Sequence, residues 1–343
     1  MNGISPPARS VIPRPPAQAV NRSLAPVFVL GCVRSGTTLL YHMLLSAGNF
    51  AIYRAESAVL NLLEPRFGDL SVRRNKRRLL DAWCGSRLFT ASGLDQESIR
   101  RTVIEECRNG GDFLRIVMSE IAARQGVQRW ADTTPEHLLY LHRIKQTIPD
   151  ALVIHVIRDG RDVALSTDKQ GYIRRLPWDR LPSKMAAGLY WDWMVSKGRR
   201  DCRDLAEDYI EVHFEDLVRD PRPTLARLGR FIGQELNYDQ ILRVGIGSVS
   251  APNTSFGGGA TFNPVGRWRA GFSDEELLVF ESLVGSTLVQ NGYELATKNP
   301  GALQRSDLEL LAATYRTYFD SKLFLKSRTP LGRWFVTRDL SRL

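Results

Sequence analysis

A chain of 343 residues with 43% hydrophobic and 24% charged side chains has ordinary globular composition, which excludes a collagen-like, coiled-coil or wholly disordered protein. Its 47 Lys and Arg against 37 Asp and Glu leave a formal charge of +10, so anions are its natural partners: phosphate, sulfate, nucleic acid or an acidic lipid surface. No run approaches the roughly 18 apolar residues of a membrane-spanning helix. The proline-studded start lacks the apolar core of a secretory leader. Cys32, Cys84, Cys107 and Cys202 stand at unrelated spacings. The expectation is a cytoplasmic protein with reduced thiols and neither a disulfide framework nor a metal site.

Residues 1–24 contain five prolines, three arginines and no acid, the composition of a disordered basic tail. Order begins at Ala25-Pro26. Val27-Phe28-Val29-Leu30, closed by Gly31, predicts a buried strand of the continuously apolar kind used in parallel sheets. Leu39, Leu40, Met43 and Leu44 predict a helix from Thr37. Helical signals dominate from Leu60 to Gln125 and include the basic run Arg73-Arg74-Asn75-Lys76-Arg77-Arg78, read as a solvated face. A second strand is predicted at Leu152–Ile157 with a helix from near Arg161, and a third at Tyr209–Phe214. Helices are expected over 183–205, 222–232 and 274–290, and a Gly, Ser and Asn-rich loop from Ser248 to Pro264. Strands alternating with helices predict an α/β fold of three layers, a central mostly parallel sheet flanked by helices. The expected division is a tail at 1–24, one domain over 25–296, and a basic, aromatic helical extension over 297–343. Within that extension the segment 322–343 suits either peripheral contact with anionic lipid or a helix closing the domain.

The first strand runs into Gly31-Cys32-Val33-Arg34-Ser35-Gly36-Thr37-Thr38-Leu39. Inward-pointing N–H groups and the helix N-terminus make such a turn an anion cradle. A plain strand-to-helix turn capped by a hydroxyl would use similar residues. The Gly-x4-Gly spacing is that of a P-loop, but Thr37 stands where a nucleotide kinase needs Lys. Arg34, Ser35, Thr37 and Thr38 supply a different donor set. The second strand ends in Arg158-Asp159-Gly160-Arg161, with Ser166 about two helical turns on. Arg158 sits where ligands gather in open α/β sheets.

Arg34-Ser35-Gly36-Thr37-Thr38-Leu39 resembles the phosphosulfate-binding loop of the sulfotransferase family, whose donor is 3′-phosphoadenosine 5′-phosphosulfate (PAPS, leaving PAP). Arg158 and Ser166 are similar to the family's 3′-phosphate motif. Val265-Gly266-Arg267-Trp268-Arg269 resembles the late element that closes over the nucleotide, with Arg267 as phosphate ligand and Trp268 packing nearby. The stretch Val212 to Pro221 also matches, with Phe214 where Tyr is usual. The resemblance covers about residues 26–294. It implies a P-loop-like fold and metal-independent, in-line transfer of a sulfuryl group from PAPS to an acceptor hydroxyl or amine.

Two general bases are candidates. Glu56 lies about where tyrosylprotein and related bacterial sulfotransferases carry a catalytic Glu, and is favoured; His137 is the alternative, against its reading as a surface residue of a helix start. Many members have a Lys before Thr-Pro, where this chain has Thr133. Arg34 alone, Lys169 or Arg267 would then act on the leaving group. The acceptor is expected to be a small molecule, carbohydrate, lipid or peptide, and not nucleic acid. Rival readings are a PAP- or PAPS-binding protein without turnover, motivated by Thr133, and a P-loop nucleotide kinase.

Overall fold

The computed structural model describes residues 21–247, 249, 263–297 and 305–332. Most of the expected tail, most of the loop from Ser248, and the end of the extension with Trp334 and Phe335 lie outside them.

Among the described residues, four strands form one parallel sheet: β1 (Val27–Gly31), β2 (Ala131–Asp132), β3 (Leu152–Ile157) and β4 (Tyr209–His213), in the order β2-β1-β3-β4. Every residue of β1 and β3 is buried, because helices cover both faces of the sheet. Alternation along β1 divides its side chains between two cores. Phe28 and Leu30 join the larger cluster, Val27 and Val29 the smaller. β2 was not expected; it is two residues long and pairs only Val27 and Phe28, too short to leave a periodic signal.

The register decides where the loops emerge. Gly31 pairs with Val156, and Ile157 with His213, so β1, β3 and β4 run out along one edge of the sheet. The turns after β1 and β3 are therefore neighbours, as expected of ligand loops in an open α/β sheet.

Helices follow each of these turns, Thr37–Ser46 after β1 and Gly160–Lys169 after β3. Predicted helices appear at Ser183–Asp201, Pro221–Ile232 and Asp274–Gln290, and short helices fill most of the stretch from Glu64 to Arg124. Within the basic run only Lys76 is buried, its ammonium donating to the Ile104 and Cys107 carbonyls, while its Arg neighbours stay exposed.

The helix Arg305–Arg328 packs on Ser183–Asp201. Tyr315 and Phe319 are buried in the larger core, and the Phe319 ring lies 5.3 Å from both Tyr190 and Trp193. The Trp193 indole N–H donates to Asp320 Oδ1 at 2.9 Å. Among the described residues no helix is long and apolar enough to cross a membrane.

Candidate active site

The turn after β1 is built for close approach. Arg34 (φ 70°) and Gly36 (φ 95°) both adopt the left-handed region, which strains any residue but glycine. The Phe214 ring fills the space beside Gly36, where an added Cβ would lie 2.2 Å from Phe214 Cδ2. Gly36 is the N-cap of the following helix. It brings no capping hydroxyl, and the first turn has no acid, so the turn is not a hydroxyl-capped helix start. The helix N-terminus keeps its partial positive charge for an external anion. Ser35 Oγ is buried and lacks a hydrogen-bond partner, a donor that an anion oxygen would satisfy.

The second turn reaches the first directly. Arg34 Nε donates to Ser166 Oγ at 2.8 Å, and Arg158 Nη1 donates to the Arg34 carbonyl at 3.0 Å. Arg158 Nη2 donates to the Pro264 carbonyl, its Nε is buried without a partner, and its guanidinium lies 4.5 Å over the Phe214 ring. Burial pulls the Arg158 pKa down; Asp162 and Glu215 oppose this, and the neighbouring cations Arg267 and Arg34 add to it.

The nearby carboxylates are bonded to other groups, although Asp162 Oδ2 also lies 3.9 Å from Arg158 Nη2. Asp162 accepts the Gly266 and Trp268 N–H groups at 2.8 and 2.9 Å, which docks the late segment on the second turn. Glu215 accepts the Asp159 N–H at 3.1 Å and the Tyr293 hydroxyl at 3.0 Å. Asp159 holds Arg161 rather than Arg158, and Arg161 continues into a buried bridge to Glu281 at 2.7 Å. Trp268 is buried, with the Arg161 and Arg269 guanidiniums 3.8 and 4.5 Å from its ring. Its indole is held by protein cations, so it pins the segment that carries Arg267. The result is a cavity of about 280 Å³ lined by Arg34, Gly36, Thr37, Thr38, Leu39 and Arg158, with Phe214 as its floor.

A family model described as "Sulfotransferase family" matches residues 26–238, more than half of the chain. The chain belongs to the sulfotransferase family. Among solved structures, this sulfotransferase is similar to the sulfotransferase domain from the curacin biosynthetic pathway, with 16% identity and a TM-score of 0.54 over 79% of this chain and 98% of that one. It is also similar to the sulfotransferase domain of the Synechococcus PCC 7002 olefin synthase, with 22% identity and a TM-score of 0.48 over 84% and 94%. A third is a retinol dehydratase solved with androsterone and inactive cofactor PAP, with 18% identity and a TM-score of 0.40 over 82% and 86%. The first of these carries the likeness of fold. No curated protein matches the chain.

Next to the cavity of about 280 Å³, the sulfotransferase has a second of about 520 Å³, and Glu56 lines both. So does Glu136, a carboxylate not singled out from the sequence. It accepts from Asn61 Nδ2 at 2.8 Å and lies 3.6 Å from Lys326 Nζ. The segment bearing Glu56 is held from one side by residues 132–137. Ser57 Oγ donates to Asp132, the Ala58 N–H to Thr134 Oγ1 at 3.1 Å, and the Leu60 N–H to His137 Nε2 at 3.1 Å. Ala58 is kept at φ 51°, a strained value for alanine that these bonds maintain.

His137 is accordingly neither a surface residue nor a base facing the acceptor. It is fully buried, its Nε2 accepts the Leu60 N–H, and its Nδ1 lies 2.9 Å from Asp132 Oδ2. With Nε2 accepting, the proton sits on Nδ1 and is donated to Asp132. No lone pair remains for a substrate proton, so His137 positions the Glu56 segment instead. Thr133 Oγ1, at the place of the family's Lys, is buried without a partner. Lys169 is exposed at the last turn of its helix. Among the described residues, no group of three His, Cys, Asp or Glu side chains is disposed to hold a metal ion.

Proposed function

We propose that this sulfotransferase uses PAPS and transfers its sulfuryl group to an acceptor hydroxyl, with Glu56 as general base. The observation that carries this reading is the direct bonding of the two anion turns, Arg34 to Ser166 and Arg158 to the Arg34 carbonyl. A ligand with anionic groups at both ends can engage both turns at once, whereas ATP needs only the first.

The residues present fit such a ligand. Ser35 Oγ and Arg158 Nε are buried donors without an acceptor among the described residues, and the left-handed backbone at Gly36 turns the chain into the helix N-terminus that would face the anion. Arg34, Ser35, Gly36, Thr37, Thr38 and Leu39 would hold the 5′ phosphosulfate, and Arg158, Ser166 and Arg267 the 3′ phosphate. Bound there, PAPS supplies the sulfuryl group and a phosphate leaving group. Arg34 and the helix N-terminus stabilise negative charge at the turn without reorganising. Glu56, on the wall shared by the two cavities, takes the acceptor's proton. Thr133 has no charge to offer the leaving side, which leaves that work to Arg34.

The test is transfer of label from sulfur-labelled PAPS to hydroxyl acceptors, alongside calorimetric titration with PAP. Transfer together with PAP binding supports the reading. PAP binding without transfer to any acceptor would favour a binding protein, and consumption of ATP would favour a kinase.

A further inference from the structure

The two cavities differ in charge along their length. Glu56 and Glu136 stand where they meet, lining both. Arg174, Lys322 and Lys326 line only the larger one. Lys326 is opposed by Glu136, whereas Arg174 is exposed, and Lys322 is exposed with its ammonium 5.9 Å from the Tyr318 ring. In the same cavity, Tyr190, Trp193 and Phe319 form an aromatic wall with ring centroids 5.3 to 5.7 Å apart. Polar capacity is also left over: Asn61 Oδ1 and Tyr140 Oη, on residues of this wall, are buried without partners. Burial raises the Tyr140 pKa far above the ordinary phenol value, with Glu136 and Glu64 adding to the effect, so it is a neutral donor.

We infer that the acceptor is an amphipathic hydroxy acid. Its hydroxyl lies at Glu56, its apolar body against Tyr190, Trp193 and Phe319, and its carboxylate on Arg174 and Lys322. This rests on the sulfuryl-transfer reading above and adds the substrate class. A cavity of this size that combines an aromatic wall with convergent polar groups is a usual form of small-molecule site. Arg174 and Lys322, which line this cavity and not the other, distinguish acids from neutral compounds of the same shape. The helix Arg305–Arg328 thereby becomes part of the acceptor site, since it supplies Phe319, Lys322 and Lys326.

The experiment uses the full chain loaded with PAP for binding, or supplied with PAPS for turnover. The probes are two matched pairs: hydroxyphenylpropanoate with its methyl ester, and an ω-hydroxy fatty acid with its methyl ester. The acid of at least one pair should exceed its ester about tenfold in kcat/KM, the scale of one charge-assisted contact. In a Lys322→Ala, Arg174→Ala double variant that ratio should fall toward one, chiefly through KM, with PAP affinity as in the parent. Equal use of acid and ester would overturn the inference. So would equal loss on both in the variant, or failure of the PAP-loaded protein to bind any of the four. A parent protein that does not bind PAP at all overturns the underlying reading instead.

Discussion

Gly36→Ala probes the junction on which the proposed donor site depends. Two penalties fall on one methyl group. The backbone sits at φ 95°, where an L-residue costs about 1–2 kcal/mol. The new Cβ would also lie 2.2 Å from Phe214 Cδ2, and overpacking a buried ring costs about 1–3 kcal/mol more. Together they destabilise the fold by about 2–5 kcal/mol. Phe214 cannot yield without consequence, because the Arg158 guanidinium rests 4.5 Å over its ring. One methyl on the first turn should therefore also weaken the cation of the second. Urea unfolding measures the stability and calorimetric titration the PAP affinity. Adding Phe214→Leu should recover the packing part, roughly 1 kcal/mol or more of coupling in a double-mutant cycle, and leave the backbone part untouched. A Gly36→Ala protein within about 0.5 kcal/mol of the parent, or strictly additive effects, would refute the reasoning.

Arg158→Ala should weaken PAP binding by about 1.5–3 kcal/mol, the worth of a hydrogen bond to a charged group, and unchanged affinity would remove Arg158 from the site. Glu56→Gln should spare PAP binding and cut turnover on the order of 100-fold, whereas Glu136→Gln should cut it less; the reverse ranking would move the base to Glu136. His155 is buried between Tyr209, whose hydroxyl lies 2.7 Å from Nδ1, and the core, and burial, reinforced by Arg199 and His213 against Glu211, pulls its pKa down to about 4. The unfolded chain, with its imidazole near 6.5, takes up the proton first, so stability should fall by up to about 3 kcal/mol as pH drops from 6.5 to about 4, and His155→Asn should flatten that part of the pH dependence of unfolding.

The strands that place the site were legible because their physics is local. Residues 27–30 are an unbroken apolar run and Leu152–Ile157 one interrupted by His155, each followed by turn residues, and parallel burial leaves that mark on a sequence. The turns after β1 and β3, which we propose hold anions, were legible for a related reason. Glycine and hydroxyl residues are required within a few positions of one another, wherever the rest of the chain goes. β2 carries no such mark. Its two residues are a strand only because β1 lies beside them, and the same contact brings Asp132 to the sheet edge.

Asp132 shows why the surroundings of His137 were harder to read than the turns after β1 and β3. From Asp-Thr-Thr-Pro-Glu-His, a histidine two residues after a proline looks like a helix-start residue open to solvent. In the fold, Asp132 takes the Thr134 N–H at 3.1 Å and faces His137 at 2.9 Å, while Ser57, from a segment over 70 residues earlier, donates to its other oxygen. Burial would push this carboxyl's pKa up, but the His137, Ser57 and Thr134 contacts outweigh it and hold it below the ordinary range. An ionised Asp132 fixes the imidazole tautomer, and the tautomer leaves Nε2 as an acceptor for Leu60. Imidazole chemistry is thus spent on shaping the 57–61 segment, next to the exposed Glu56 that we propose as the base. A residue's type indicates which chemistry it can perform; its hydrogen-bond partners, which are long-range, decide whether that chemistry is still available.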